Sequence, residues 1–527
     1  MFPIQIPAFG ETEIFDNQEN NSSRVVLIPE STQEAYENYC ALLEKEGFAA
    51  KEAFCADHRR FAAYEKDGWG VFVNYFAGTQ QLQLVMEENT AYFSCADTQG
   101  DPCVQPRLTQ LSLCDYGLSY TLRLSDGRVI IIDGANVYEK DVDNLFERLK
   151  KESPEEKPVI AAWIFTHPHS DHYFCFFPFM EKYADQVQIQ RFFFNFPEGD
   201  DLTHYPKLEK DGKRYAMWKG IESITGSEIL NQFRVDVAET GVPEYTPHTG
   251  QTYQIGDARI VFYGTMDDTI HRSQNINATS LMFMVEIAGQ NIFFGGDGSF
   301  SDASLAERFG SELKCDILQV PHHGFGCGTA EGQIQGYRLM DPAVCVLPVE
   351  RDLAYSSFTT YREGTNYLFT RMNVKKIFTG RTEQTLPLPY TADPAGLWEL
   401  EHSYLQGRDS AGATTWIFTE LNTGRPEDFV FSVLNTTYIP AELKVELYFE
   451  NMQRKIIKLK NTGLRLGVFR LNCLLQPEED QEQFNEPDFL EKLDIPENTY
   501  FAVRFISSLP VVISHRDHQP AYRSTVI

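Results

Sequence analysis

The pattern of apolar and polar positions divides the chain into three stretches. In the first, VVLIP (25–29) reads as a strand, and Ser31 and Thr32 can cap a helix that Gly47 stops. Three strand-like runs follow, RRFAAYEKD, GVFVNYFAG and QLQLVMEE, with Asp67-Gly68 turning the first into the second. From about residue 107, LTQLSLCDYG, SYTLRLSDG and RVIIIDGA predict strands, with a hairpin at Asp126-Gly127. A charged helix, DVDNLFERLKKE, comes next. PVIAAWIF (158–165) is then a continuous apolar run, as expected of a strand covered on both faces. FCFFPFMEKYA predicts a helix with Pro178 in its first turn. ARIVFYG, TSLMFMVEIAG, QNIFFGGD, CDILQV and AVCVLPV extend the strand series. Strand–helix alternation beside hairpins predicts mixed α/β layers. From about residue 415 the runs are short and alternating, from TWIFTEL to PVVISH, the spacing of a β-sandwich.

These shifts predict a small α+β domain over residues 1–106, an α/β domain over 107–395 and an all-β sandwich over 396–527. Residues 1–23 read as a polar arm, and the acidic stretch 477–492 as a solvated loop with a short helix. A length of 527 residues suits several domains.

Composition narrows the function classes. At 42% hydrophobic residues the chain can fill large cores, which excludes a mostly disordered protein. Lys and Arg number 46 against 75 Asp and Glu, a net charge of −29. That balance argues against a general nucleic-acid binder, which needs a basic surface, and leaves room for a local positive pocket. No apolar run is long enough to span a membrane. The amino terminus lacks the basic-then-apolar pattern of a signal peptide. The ten cysteines are scattered without a CxxC pair, the usage of reduced thiols in a cytoplasmic protein.

The chemistry concentrates in THPHSDH (166–172), directly after the buried run. Imidazole and carboxylate are natural ligands of a borderline divalent metal. His167 and His169, two apart, can point the same way. Asp171 and His172 sit at the turn into the helix and aim elsewhere, which suits two adjacent metal positions. Downstream, Asp297 ends NIFFGGD, where its carboxylate can bridge two metals. His322 and His323 follow CDILQV, where an imidazole can complete one of them. Other candidates read as structural: His204 and His248 as surface histidines, Lys150-Lys151 and Lys375-Lys376 as solvated faces, and Tyr361, Arg362 and Asn366 as a helix surface. Cys175 and Cys327 read as buried or incidental thiols, although Cys327 is near enough in sequence to approach the site. His515, Arg516 and Asp517 read as edge-strand polar groups.

HxHxDH at 167–172, GD at 296–297 and HHG at 322–324, after the early DGRVIIIDGA strand, resemble the metallo-β-lactamase superfamily over roughly residues 107–395. The resemblance implies an αββα sandwich with its site at the strand ends, holding one or two Zn²⁺, with iron or manganese as alternatives. It implies that His167 and His169 bind the first metal, that Asp171, His172 and His322 bind the second, and that Asp297 bridges. Asp133 would brace the histidine loop from behind. His322 is preferred to His323 because the family's ligand usually sits two residues before the glycine. Most members supply a third histidine to the first metal. Here that region reads HRSQNINATSLMFMV, with Asn277 near the expected place and His271 slightly early. The pattern NxxSL…GD…PHHG is similar to the soluble hydrolase domain of bacterial DNA-uptake channel proteins, which also lack that histidine.

The implied activity is hydrolysis of an ester, amide, lactone or phosphodiester of a small molecule by metal-activated hydroxide. Asp171 would orient the water, and His323 is the candidate for protonating the leaving group. Two other readings stand beside it: a phosphodiesterase or nuclease like the DNA-uptake domain, and a non-catalytic sensing protein that lost activity with the third histidine. Residues after 430 (FSVLNTTYIPAELKVELYFE, RLGVFRLN and IPENTYFAVRFISSLPVVISHRD) resemble the sensory rhodopsin transducer family, a small β-sandwich. That resemblance implies a homo-oligomer assembled through the C-terminal sandwich.

Overall fold

The computed structural model describes residues 15–17, 23–56, 58–88, 97, 100–114, 117–197, 226–269, 276–324, 331–347, 374–379, 383–392, 413–435, 441–461, 465–471, 495–515 and 522–524. They form an α/β protein with several mixed or antiparallel sheets, divided into two compact units. The first unit holds the described residues of Met1–Ala354 and Lys375–Asp393, and the second those of Tyr355–Val374 and Pro394–Ile527.

Three sheets build the first unit. The amino-terminal one is antiparallel, in the order Phe15–Asn17, Ser23–Ile28, Gln81–Glu87, Trp69–Phe76, Arg59–Lys66, Ala49–Cys55. A period of two sorts its side chains. Val26, Ile28, Ala62, Tyr64, Val71 and Val73 lie under Tyr36, Tyr39 and Leu43 of the helix Gln33–Lys45. Val25, Leu27, Phe61, Ala63, Phe72 and Val85, on the other face, join the core of the other two sheets. The helix begins where the sequence predicts, with Thr32 Oγ1 accepting from Ala35 N at 3.1 Å. Asp67 and Gly68 make the predicted turn with φ of 52° and 84°. Ala49–Cys55, by contrast, is a strand the pattern does not reveal. Every residue in it is exposed, so no alternation marks it.

The second and third sheets are mixed. One runs Glu244–Tyr245, Phe192–Phe193, Val159–Ile164, Val129–Ile132, Tyr120–Arg123, Arg107–Gln110, Gln384–Pro387. The other runs Thr252–Ile255, Ala258–Gly264, Met282–Ile287, Gln290–Phe294, Ile317–Gln319, Val344–Leu347, Lys376–Thr379. Leu122, Ile130, Ile132 and Ile164 from the first share one core with Ile260, Phe283, Phe294 and Val346 from the second. Outside the first, Glu139–Glu152, Phe176–Tyr183 and Gly226–Glu239 cover Ile131, Trp163 and Phe165. Outside the second, Phe300 meets Phe293 edge to face, and Tyr337 meets Phe300 in the same way. The aromatic run after the histidine loop is a buried helix face, as its pattern suggests, and Pro178 lies in the first turn of Phe176–Tyr183. Lys376 departs from its reading as a solvated residue. It is buried, with its ammonium 5.6 Å from the Phe378 ring centroid. No helix among the described residues is long and apolar enough to cross a membrane.

A polar seam joins the amino-terminal sheet to the rest of the unit. Gln83 Nε2 donates to Asp268 Oδ1 at 3.2 Å, Asn74 Nδ2 to the Thr249 carbonyl at 3.2 Å, and Gln251 Nε2 to Glu87 Oε2 at 2.6 Å. Arg59 pairs with Glu312 at 2.8 Å. Arg308 pairs with Asp268 at 2.8 Å and lies 4.0 Å from the Phe76 ring centroid. Gly250, at φ 92°, makes room for Asn74, since a Cβ there would meet Asn74 Oδ1 at 2.6 Å. His248 belongs to the seam and corrects its reading as a surface residue. It is buried, with Nδ1 2.7 Å from Asp267 Oδ2. His204 lies outside the described residues, as do His271, Cys327, Tyr361, Arg362 and Asn366.

The second unit is an antiparallel β structure. Arg454–Asn461, Ala441–Phe449, Tyr500–His515, Ala413–Asn422 and Tyr522–Ser524 form one sheet in that order. TYFAVRFI and PVVISH, read as two strands, are one. Its first half pairs with Ala441–Phe449, and its second half, past Pro510, pairs with Val430–Asn435. His515, read as an edge group, is buried with its ring centroid 4.9 Å from that of Phe431. Arg516 and Asp517 lie outside the described residues.

Burial pushes Glu87 up to about 7, against the pull of His248 and the Gln251 hydrogen bond. A carboxyl group raised in the fold keeps its proton while the unfolded chain has lost it. Stability therefore falls as pH rises from about 4.5 to 7, by about 3 kcal/mol for this group, and is flat above. Glu87→Gln should flatten that part of the curve, raising the melting temperature at pH 7.5 more than at pH 5. An equal change at both pH values would contradict a neutral, buried Glu87.

Candidate metal centre

Four strands deliver the polar groups of the site. Val129–Ile132 and Val159–Ile164 are parallel neighbours in one central sheet, and Gln290–Phe294 and Ile317–Gln319 in the other. Asp133, the 166–172 loop, Asp297 and the His322-His323 pair leave the carboxyl ends of these strands, where α/β proteins gather ligands. Leu281 N donates to the Thr166 carbonyl at 2.8 Å and ties the two sheet ends together.

Asp133 organises the loop from beneath. It is fully buried, with backbone φ of 53°. Its Oδ1 accepts from Thr166 N at 2.6 Å and its Oδ2 from Thr166 Oγ1 at 2.7 Å. Oδ2 also meets His172 Nδ1 at 2.7 Å, which places the proton on Nδ1 and turns Nε2 inward. On the opposite wall, Asp297 N donates to Ser280 Oγ at 3.1 Å. Gln319 holds the glycines before it, accepting from Gly295 N at 2.8 Å and donating to the Gly296 carbonyl at 3.1 Å. Gly296 is at φ 52°, and a Cβ there would touch Thr166 and Ser280 at 3.0 Å, so the two walls approach as closely as glycine permits.

Two groups of donors result, and Asp297 belongs to both. Asp171, His172, Asp297 and His323 form one, and His167, His169 and Asp297 the other. In the first, His172 Nε2 lies 3.3 Å from His323 Nε2, 3.3 Å from Asp297 Oδ1 and 3.9 Å from Asp171 Oδ2. His323 Nε2 is 3.1 Å from Asp171 Oδ2 and 3.3 Å from Asp297 Oδ2. Ligands bound at about 2.1 Å in a tetrahedron stand about 3.4 Å apart, so the donor set fits one ion. In the second, His167 Nε2 lies 3.1 Å from His169 Nδ1 and 4.0 Å from Asp297 Oδ2.

Charges in this volume oppose one another. Burial alone would pull His172 down, but the Asp297, Asp133 and Asp171 carboxylates hold it at about 10. His323 is likewise raised, its burial outweighed by Asp297 and Asp171. Asp171 and Asp297 are lowered despite burial, by His172 and His323. His167 is pushed down by burial and by His172 and His169, and His169 chiefly by burial. Two imidazoles thus hold protons in the places where a divalent ion would bring its charge.

The sequence-predicted residues converge with one exchange. His167, His169, Asp171, His172 and Asp297 enter the donor groups, and so does His323, whereas His322 does not. The cause is backbone conformation. His322 and His323 both adopt left-handed φ/ψ, (52°, 44°) and (52°, 23°), at a cost of about 1–2 kcal/mol each. Their rings diverge to a centroid separation of 6.4 Å. His322 Nε2 instead accepts from Asn277 Nδ2 at 3.1 Å. Spacing to the glycine carries no information about this rotation. Thr166, Ser280 and Gln319 are supports that sequence reasoning did not single out, since a lone hydroxyl or amide has no signature.

No family model matches the chain, and no curated protein matches it. Among solved structures it is similar to the metallo-beta-lactamase fold protein YhfI from Bacillus subtilis, at 12% identity over 53% of this chain and 99% of that one, with a TM-score of 0.33. It is similar to CmlA, a diiron beta-hydroxylase from Streptomyces venezuelae, at 11% identity over 68% and 79%, with a TM-score of 0.31. The Anabaena sensory rhodopsin transducer matches at 23% identity over 21% and 86%, with a TM-score of 0.16.

A divalent ion taken up by this donor group would have to displace the protons held by His172 and His323. Adding Zn²⁺ to metal-stripped protein at pH 7 should release about two protons per tight site, read with an indicator dye, and the apparent affinity should fall as pH falls. Asp133→Asn should weaken zinc about 10- to 100-fold in competition with a chelator. Affinity unchanged in that variant would contradict the bracing role of Asp133.

Proposed function

We propose that this chain is a metal-dependent hydrolase of the metallo-β-lactamase superfamily, acting on an ester, amide, lactone or phosphodiester of a small molecule. One observation carries the reading: a single carboxylate, Asp297, is shared by two adjacent donor groups at the carboxyl ends of parallel strands. Under it, Asp171, His172 and His323 hold one ion, His167 and His169 hold another, and Asp297 bridges. The residue order along the chain and the two central sheets with outer helices support an αββα sandwich. Zn²⁺ suits the imidazole and carboxylate donors, with iron or manganese as alternatives. The first ion has three protein donors against four for the second, so it is the weaker.

A bound divalent ion would supply Lewis acidity, polarising the substrate's carbonyl or phosphoryl oxygen and making water nucleophilic near neutral pH. The protein's own groups do the rest. Asp171, lowered by His172 and His323, stays ionised across the working range. Half-buried, it would accept a hydrogen bond from the attacking water and align it. His172 is kept from rotating by Asp133. The buried aromatic helix behind the loop, with Phe174, Phe176 and Phe177, excludes bulk water from that side. The seven described cysteines are thiols, which supports a cytoplasmic setting.

Elemental mass spectrometry on untagged protein tests the reading. Wild type should carry metal, and a zinc titration should show one tight equivalent and a second at least about tenfold weaker, as expected of a set one donor short. Asp297→Ala should empty both. Asp171→Asn should lower kcat on bis(p-nitrophenyl) phosphate or a simple lactone about 100-fold. A wild type that takes up no metal would sink the proposal.

A further inference from the structure

The backbone of Asp297 is held by a short segment, residues 276–281. Ser280 Oγ accepts from Asp297 N at 3.1 Å, and Leu281 N donates to the Thr166 carbonyl at 2.8 Å, so the segment touches both walls of the donor groups. Its own place is set by the turn Ile276–Thr279, where Ser280 N donates to the Asn277 carbonyl at 3.1 Å and Thr279 Oγ1 to the Ile276 carbonyl at 2.7 Å. That turn is tied to the helix Met266–Thr269, because Thr269 Oγ1 donates to the Ala278 carbonyl at 2.7 Å. A helix of four residues has too few internal hydrogen bonds to hold itself. Asp268 supplies the hold from outside. Its Oδ1 meets Gln83 Nε2 of the amino-terminal sheet at 3.2 Å and the Arg308 guanidinium at 2.8 Å. Its Oδ2 accepts from Thr265 N at 3.0 Å and from Thr249 Oγ1. Beside it, Asp267 accepts from Asn195 Nδ2 at 3.1 Å and from Thr265 Oγ1 at 2.9 Å. Gln83, Asp268, Thr269, Thr279 and Ser280 are all buried, so bulk water cannot take the place of a lost partner.

Resting on the metal-binding reading proposed above, we infer that Asp268 and Thr269 are positioning residues for Asp297, and that the amino-terminal sheet, through Gln83, is a part of the metal centre. The path runs from Gln83 to Asp268, Thr269, the Ala278 carbonyl, Ser280 and Asp297, with a hydrogen bond or a chain neighbour at each step. Gln83, Asp268 and Thr269 lie outside both donor groups, so they act only through the wall they hold. Asp297 belongs to both groups, so a shift of this wall weakens both at once.

Two readouts on the full-length, metal-stripped chain decide the matter: zinc affinity in competition with a chelator, and the visible spectrum with Co²⁺ in place of zinc. Thr269→Val keeps the side-chain shape and removes the hydroxyl. It should weaken both zinc equivalents about three- to tenfold and shift the cobalt bands. Thr269→Ser, which restores the hydroxyl, should return both readouts to wild type. Gln83→Met, which lacks the amide donor, should move them in the same direction as Thr269→Val. Leu43→Ala is the control. It opens a cavity on the far face of the amino-terminal sheet, beneath its helix, and should lower the melting temperature while leaving zinc affinity and the cobalt spectrum unchanged. Unchanged affinity and spectrum in Thr269→Val would overturn the inference, and in Gln83→Met alone would overturn the part given to the sheet. A Leu43→Ala variant that weakens zinc as much as the other two would also overturn it, since general loss of stability would then account for the effect. Each of these results leaves the metal-binding reading intact as long as the wild type takes up zinc, whereas a wild type that takes up none would bring down that reading and this inference together.

Discussion

A carboxylate without access to water, Asp133, is the piece on which the site depends. Burial raises it, and three hydrogen bonds from Thr166 and His172 offset that cost. In accepting them it fixes the backbone where the 166–172 loop begins and the ring where it ends. Between those two points the loop has little freedom, so His167, His169 and Asp171 inherit their directions from a residue that lies outside both donor groups. An unpaired carboxylate at this depth would cost several kcal/mol. The loop and its brace therefore form together or not at all.

The opposite wall obeys a different constraint, close approach of backbone. Gly295 and Gly296 let the turn before Asp297 sit against Thr166, Ser280 and Pro321 without a side chain intervening. Asp297 can then reach both donor groups. The result is a volume in which two carboxylates and four imidazoles balance one another, two rings holding protons and two kept neutral by burial. A chain of net charge −29 thereby keeps a centre whose charge is set locally.

What could be read from the sequence follows from how far each arrangement reaches. The 167–172 donors lie within one loop, so their spacing encodes their geometry, and Asp297 announces itself by two glycines and an apolar strand. The choice between His322 and His323 turns on two φ angles and a partner, Asn277, 45 residues away, none of which leaves a pattern. His248 was misread for a similar reason. Its partner Asp267 belongs to another strand end, and an isolated histidine in a polar stretch looks solvated. Strands of two residues such as Phe192–Phe193 and Glu244–Tyr245 are too short to show a period. The all-exposed Ala49–Cys55 shows none. Long alternating strands, the Thr32 cap and the Asp67-Gly68 turn were legible because their causes are local.

The seam between the amino-terminal sheet and the central sheets has a consequence for descent. Gln83, Asn74 and Glu87 meet Asp268, Thr249 and Gln251 across it, buried and matched donor to acceptor. A recombination event near residue 107 would deliver the central sheets with those acceptors and donors facing a foreign surface, and an apolar sheet face bared beside them. Apolar faces accept many replacements, but a matched row of buried polar groups accepts few. The two halves are therefore bound to be inherited as one, with substitutions on either side of the seam expected to travel in pairs.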